Sequence, residues 1–358
     1  MTTPRTPRVL FTAGREPEYV RNSLILKGLR HHFPVTSVTG RAGSYLPRLA
    51  GVSARILRPP EHDVAFAGFF GQPLALLLRR RSTKPIILDA FISAYDTLCL
   101  DRRVAAPAST LGRLAFALDR AALRAASVVL TDTQAMAHFL HQALDVPEAK
   151  LVPHYLGYEP DVFDAVSPPV EPPGPFTVFY YGSFLPLQGV DVIVRAAKLL
   201  EPEWDLRFRI VGHGLTARET RALAERLGVR NVEWIGWLQY RELPRAIAES
   251  HLCLGGHFGL AEKAGRVIAG KTYQFLAMGR ATVVGEGPAN HELLAHGEHA
   301  YFCRRGDPEA LAAAILELKG HRDRRQTLAE SGQRLVRERF EPETQAAKLA
   351  KVVKLSLK

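Results

Sequence analysis

"YYGSFLPLQGVDVIV", residues 180–194, runs as an apolar strand into Gly182, crosses a short loop and restarts at Gly189 as a helix. Strand, glycine loop and helix in succession form the repeating unit of a doubly wound parallel sheet. The first N–H groups of such a helix have no partner within it and favour a phosphate. Every doubly wound sheet contains this unit, so a plain tight turn accounts for it equally well.

Reading outward, the unit recurs. Toward the C-terminus come the strand-like "LRFRIVG", "NVEWIG", "HLCLGG" and "ATVVGE", separated by helical patterns ending near 227, over 240–250 and over 271–278. Toward the N-terminus, "PRVLFTAG" (7–14), "KPIILDAF" (84–91) and "SVVLTDT" (127–133) have the same character, with helices predicted at 22–31 and 109–126. Between the two series lies "SPPVEPPGP", 167–175, with five prolines in nine residues, which admits neither helix nor central strand. The expected organisation is therefore a first Rossmann-like domain over 1–166, a linker over 167–175 and a second Rossmann-like domain over 176–342. Ligands in such sheets bind beyond the C-terminal ends of the strands.

A chain of 358 residues with 47% hydrophobic residues suits two folded domains. Met1–Arg8 has no apolar stretch of the signal-sequence kind, and Val64–Leu78 is interrupted by Gln72 and Pro73 and too short to span a bilayer. A cytoplasmic location is expected. Cys99, Cys253 and Cys303 are widely spaced in apolar contexts and read as core residues. The net charge of +11 is unevenly spread: residues 1–140 hold 19 Lys and Arg against 9 Asp and Glu, a surplus of +10. That surplus would attract an anionic membrane surface, a phosphorylated acceptor or nucleic acid, although no reading helix or interleaved aromatics favour the last. "FFGQPLALLLRRR", 69–81, reads either as an interfacial helix or as a core helix with a basic end.

"EKAGRVIAGKTYQFLAMG", 262–279, places Glu262, Lys263, Arg266 and Lys271 before and within the start of an apolar helix. A cation in a helix's first turn opposes the macrodipole by a few tenths to about 1 kcal/mol. A diphosphate gripped by Arg266 and Lys271 would offset this, with Arg forking across two oxygens and Lys acting as a point charge. The alternative is a surface loop in which Glu262 pairs with Arg266 at i,i+4. "IVGHG" adds Gly212, His213 and Gly214, whose glycines would let backbone approach a flat ligand. "WIGW" adds Trp237.

From about Thr177 to Phe340 these motifs, in order, resemble the glycosyltransferases of family 4: "GSFLPLQGVDVIVRAAKLL", "FRIVGHG", "NVEWIGWLQYRELPRAIAESHLCL", "KTYQFLAMGRATVVGEGPANHELL" and "GDPEALAAAILEL". The first domain matches loosely, through "DAFISAYDTLCLDRR" and "LVPHYLGYEPDVF". The resemblance implies the GT-B architecture, two Rossmann-like domains facing each other across a cleft, and sugar transfer from a nucleotide-sugar donor with retention of configuration. It also implies that the last segment, 343–358, crosses back onto the first domain. The implied donor site comprises Gly182, Ser183, Gln188, Gly189, Gly212, His213, Gly214, Trp237, Glu262 and Gln274, with Arg266 and Lys271 as the catalytic cations. The sequence departs from the family where Ser183 and Gln188 replace two diphosphate-binding cations and where Arg266 and Gln274 replace two glutamates. It is similar instead to a branch reading Glu-Lys-Ala, Arg-Val-Ile and Lys, followed here at Glu262, Lys263, Ala264, Arg266, Val267, Ile268 and Lys271. Either the positive charge has moved to Arg266 and Lys271, or activity has been lost and a nucleotide-sugar-binding protein remains.

No Asp-x-Asp occurs, so no metal and no other cofactor is expected. On the acceptor side, Arg21 in "REPEYVRNS", Asp96 and His154 are the candidates, with Asp89 and Asp96 as suited to orienting the acceptor as to chemistry. "TDT", 131–133, reads as a helix cap. The expected partners are a nucleotide-sugar donor, a glycan or lipid-linked acceptor and an anionic membrane at the inner face of the cell membrane, with no nucleic acid.

Overall fold

The computed structural model of the protein describes residues 5–40, 43–164 and 170–358. Two compact units emerge: the chain as far as Leu156 together with Phe340–Lys358, and Gly157–Arg339.

The first unit holds β1 (Val9–Ala13), β2 (Val35–Val38), β3 (Val64–Gly68), β4 (Ile86–Asp89), β5 (Val128–Thr131) and β6 (Leu151–Pro153), all parallel in the order β2-β1-β3-β4-β5-β6. β1, β3, β4 and β5 are buried along their whole length, as expected of strands covered by helices on both faces. Ser109 and Thr133 cap the helices Thr110–Ala125 and Gln134–Leu144 by accepting from Gly112 N and Met136 N, so the TDT segment is a cap. The last helix, Pro342–Ser356, packs on Val20–His32, where Leu349 lies against Gly28 and joins Phe11, Ile25 and Val353 in one core.

The second unit holds β7 (Phe176–Tyr181), β8 (Leu206–Val211), β9 (Val232–Ile235), β10 (Leu252–Gly256), β11 (Thr282–Gly285) and β12 (Tyr301–Cys303), parallel in the order β12-β11-β10-β7-β8-β9. Strand order reverses between β7 and β10. In an open α/β sheet this switch point leaves a crevice beyond the strand ends where ligands sit.

Several expectations change. Residues 157–164 pack in the second unit rather than the first: Tyr240 donates to Glu159 at 2.6 Å, Phe163 meets the Tyr240 ring edge-on at 5.3 Å, and Arg337 pairs with Asp164. Of the proline-rich linker, 167–169 lie outside the described residues, while Glu171 is tied to Arg322 at 3.2 Å and to Arg325. The helix predicted over 240–250 divides into a 3-10 turn, Tyr240–Glu242, and a short helix, Leu243–Ala248, with Pro244 in its first turn. Of the two readings of 69–81, the core helix with a basic end is the one found: Leu74, Ala75 and Leu78 are core residues of the helix Gln72–Arg81, and Phe69, just before it, is buried. Each leucine so buried contributes about 1.5–3 kcal/mol that a lipid-facing orientation would forfeit. No helix among the described residues is long and apolar enough to cross a membrane.

Candidate functional site

The loops leaving β7 and β10 meet at the switch point. Phe258 N donates to Gln188 O at 3.2 Å and Gly259 N to Leu187 O at 3.1 Å. Gly189, at φ 65°, begins the helix Val190–Leu199 and lies so close to this second loop that a Cβ would stand 2.4 Å from Gly259 N. Glycine is required there on both grounds.

Lys271 sits in the first turn of the helix Gly270–Ala277 and is only 6% exposed. Its ammonium donates to Gln188 Oε1 and lies 4.4 Å from the centre of the Tyr180 ring, while the Tyr180 hydroxyl reaches the same Oε1 at 3.3 Å. Among the described residues no carboxylate stands within ion-pair distance of it. Burial lowers its pKa from 10.5 to about 7. A buried ammonium held by an amide oxygen and a ring face lacks a full counter-charge and would gain strongly from an anion.

The neighbouring cations add to this field. Lys263, in the short helix Glu262–Arg266, is buried. Arg266 has little exposure and pairs with the exposed Glu262 at 3.2 Å, so the i,i+4 pair expected of a surface loop does form. Arg305 donates to Glu286 O at 2.8 Å and Ala261 O at 3.0 Å, which fixes the approach to this helix. A Cβ on Gly265 would meet the Arg305 guanidinium at 3.0 Å. Burial, with Lys271, Lys263 and Arg305 as contributing charges, lowers the His257 pKa to about 3 and keeps the ring neutral.

Gln274, on the same helix as Lys271, donates through Nε2 to the Tyr240 oxygen at 3.0 Å, and the Tyr240 hydroxyl in turn donates a hydrogen bond to Glu159. Its Oε1 is buried and has no hydrogen-bond partner among the described residues. Burial and the Glu159 carboxylate both raise the Tyr240 pKa, so the hydroxyl stays protonated.

Ser183 is exposed at the start of the loop after β7, and Gly182 lies under Lys271, where a Cβ would stand 3.0 Å from Nζ. Gly212 and Gly214 are required by the packing of the neighbouring loop, whatever they also allow a ligand. A Cβ on Gly212 would be 2.0 Å from Gly182 O and one on Gly214 2.7 Å from the Phe184 backbone, so both glycines admit the neighbouring loop. His213 is exposed between them while its carbonyl accepts from Phe184 N at 3.0 Å. Trp237 is almost wholly solvent-facing; its companion Trp234 packs against Phe184 and the Arg221 guanidinium.

In the first unit the three acceptor-side candidates are buried, which corrects their reading. Arg21 belongs to the first turn of the helix Val20–His32 rather than to a loop. It forks onto Asp89 at 2.8–3.1 Å and donates to His154 O at 2.7 Å, tying that helix to the ends of β4 and β6. Its donors are committed to the protein and Asp89 is committed to it. Burial, assisted by the Arg21 charge, lowers the His154 pKa to about 3, so this ring is neutral. Asp96 opens a π-helical turn, Asp96–Asp101, and is closed off from solvent.

Sequence reading missed Tyr180, His257 and the Glu159–Tyr240 pair, and noted Lys263 in the charged run before the helix without placing it in the site. A cavity of about 240 Å³, bordered by Glu171, His251, Arg280 and Arg325, opens at the opposite edge of the second sheet and holds none of the predicted residues. No cluster of three or more metal-ligating side chains occurs among the described residues.

Residues 175–320 match the family described as Glycosyl transferases group 1. Among curated protein sequences none matches the chain. Alr3699/HepE of Anabaena, solved in complex with UDP and glucose, is 18% identical, with 97% of this chain and 99% of that one covered and a TM-score of 0.74. Sucrose-phosphate synthase of Thermosynechococcus elongatus is 13% identical over 98% of each chain, with a TM-score of 0.77. A glycosyltransferase of Rickettsia africae is 14% identical over 99% of each chain, with a TM-score of 0.69. The chain therefore has the GT-B fold, two Rossmann-like units, the second of which contains the stretch that matches the group 1 glycosyl transferases.

Proposed function

We propose that this protein is a retaining family 4 glycosyltransferase that moves a sugar from a nucleotide-sugar donor to a lipid-linked or cell-surface glycan acceptor, without a metal, at the cytoplasmic face of the membrane. One observation carries the donor half of this reading: Lys271, buried at the β7/β10 switch point, lacks an anion. A donor diphosphate held by Lys271 and Arg266 would supply it. As the glycosidic bond breaks, negative charge grows on the leaving phosphate, and fixed cations in a dry site stabilise that charge without reorganising. Retention follows if the acceptor attacks from the leaving-group side and passes its proton to a phosphate oxygen, so no protein base is required. The Anabaena neighbour was solved with UDP-glucose, which makes uridine the first base to test.

A second reading, a nucleotide-sugar-binding protein that has lost catalysis, is favoured by Gln188, which occupies the Lys271 ammonium, and by Gln274, which is tied to Tyr240. Incubation with a panel of nucleotide sugars separates the two. Release of nucleoside diphosphate supports the transferase, and tight binding without turnover supports the second reading. Neither turnover nor thermal protection by any nucleoside diphosphate would reject both.

A further inference from the structure

The segment joining β4 to the helix Thr110–Ala125 lies beyond the C-terminal edge of the first sheet, the edge that also carries Asp89 and His154. Its loop, 102–108, folds onto the start of that helix, where a Cβ on Gly112 would stand 2.4 Å from Ala106 O. At the loop's turn Arg103 adopts φ 52°, in the left-handed region. A residue with a Cβ pays a strain of order 1 kcal/mol to stay there. Val104 in this loop and Leu111 and Leu114 in the first turns of the helix are 63%, 49% and 62% exposed, the two leucines three residues apart on one helix face. Arg102, Arg103 and Arg113 are exposed as well, and among the described residues none of the three has a carboxylate partner.

The carboxylates of this region are withdrawn from the surface. Asp89, Asp96, Asp101 and Asp119 are all buried, at 4% exposure or less, so between 89 and 126 the exposed charge is entirely positive. Farther along the helix, Arg120 and Arg124 share the single carboxylate of Asp145, which offsets one of their two charges. Branched aliphatic side chains ringed by unpaired guanidinium groups match an anionic lipid interface, where apolar groups enter the acyl boundary and cations meet headgroup phosphates.

We propose that the surface built from Arg102, Arg103, Val104, Leu111, Arg113 and Leu114 docks the protein on an anionic bilayer. The inference rests on the functional reading above only in making the acceptor lipid-linked; the docking itself needs no donor. A bilayer at this edge would present a headgroup-linked acceptor on the side of the first sheet where its strands end.

The test is co-sedimentation of the full chain with vesicles of phosphatidylcholine alone or mixed with phosphatidylglycerol. Binding is expected only to the mixed vesicles and should weaken with added salt. Leu111→Ser with Leu114→Ser should lower it by about tenfold or more, and Arg102→Ala with Arg103→Ala by a similar factor. Replacing Arg79, Arg80 and Arg81 by Ala, at the far end of the helix that follows β3, should leave binding within about twofold. An equal loss in that triple variant would show diffuse attraction to a basic unit and overturn the proposal. So would wild-type dimers that the Leu111/Leu114 variant converts to monomers, since the patch would then face a second copy. Melting temperature and UDP protection of each variant, unchanged if the fold and donor site are intact, separate failure of docking from failure of the donor reading.

Discussion

Lys271 and Gln188, 83 residues apart, meet at the switch point of the second sheet, the ammonium of one donating to the amide oxygen of the other. In the family pattern a second lysine would occupy position 188. Two buried ammonium groups at this separation would repel strongly in the absence of a ligand, whereas an amide satisfies one of them without cancelling its charge. The site keeps one strong cation in place of two competing ones.

Lys271→Met should therefore separate stability from binding. Removing a desolvated ammonium that has no anion should leave the melting temperature unchanged or higher. Donor affinity should fall on the order of a hundredfold, the scale of losing one preorganised charge contact. Thermal melts with and without UDP read both quantities.

The depressed pKa of Lys271 sets a pH dependence. The folded state binds this proton less tightly than the unfolded state, so between about pH 7 and the ordinary lysine range the unfolded chain holds more protons. The cost of burying the charge is complete below pH 7 and fades as pH rises through that window. Diphosphate binding prefers the charged form, so UDP affinity should fall as pH rises above about 7. His257, with its pKa near 3, is neutral throughout. Titrating the UDP dissociation constant against pH checks this, and Lys271→Arg, which stays charged, should flatten the profile.

Gln188→Lys restores the family cation beside Lys271. The free protein should lose about 1–3 kcal/mol by urea denaturation, from repulsion and from the hydrogen bonds that Gln188 Oε1 accepted. UDP should recover more of the stability than it does in the wild type, because two charges then await the diphosphate.

Gln274→Glu tests the relay through Tyr240. Tyr240 donates a hydrogen bond to Glu159 and accepts one from the Gln274 amide. A carboxylate at 274 has no proton to give, so two acids would compete for one hydroxyl. The single variant should be destabilised by about 1–3 kcal/mol. Adding Glu159→Gln should recover most of the loss, a coupling that a double-mutant cycle measures.

Asp89→Asn tests the reassignment of Arg21. Leaving a buried guanidinium without its carboxylate should cost about 3–5 kcal/mol, read as a fall in melting temperature. UDP affinity per folded molecule should not change.

The second sheet was legible through β7 to β11 because strand and helix patterns alternate there and Gly182 and Gly256 mark strand ends, whereas in the first sheet β2 and β3 went unread, as did the short β12 of the second. The inward aim of Lys271 was anticipated from an electrostatic tension: a cation in a first helical turn needs an anion or must turn away. Glu159 was not legible, because it lies 81 residues from Tyr240 and only tertiary folding joins them. Arg21 looked like a loop residue because its helix, Val20–His32, begins after Tyr19 without a side-chain cap. The packing role of Gly212 and Gly214 was not legible because a glycine that admits a ligand and one that admits a neighbouring backbone have the same letter. The exposure of Val104, Leu111 and Leu114 was hidden because the three side chains are apolar, while the 69–81 stretch, whose leucines are largely buried, had the more amphipathic appearance.

Calorimetric titration of UDP into the wild type and Lys271→Met near pH 7 most directly tests whether the buried ammonium grips a donor diphosphate. The wild type should bind with uptake of a fraction of a proton, visible as a buffer-dependent enthalpy, and the variant should bind about a hundredfold more weakly without proton uptake. Equal affinities for the two proteins, or no affinity of the wild type for any nucleoside diphosphate, would contradict it.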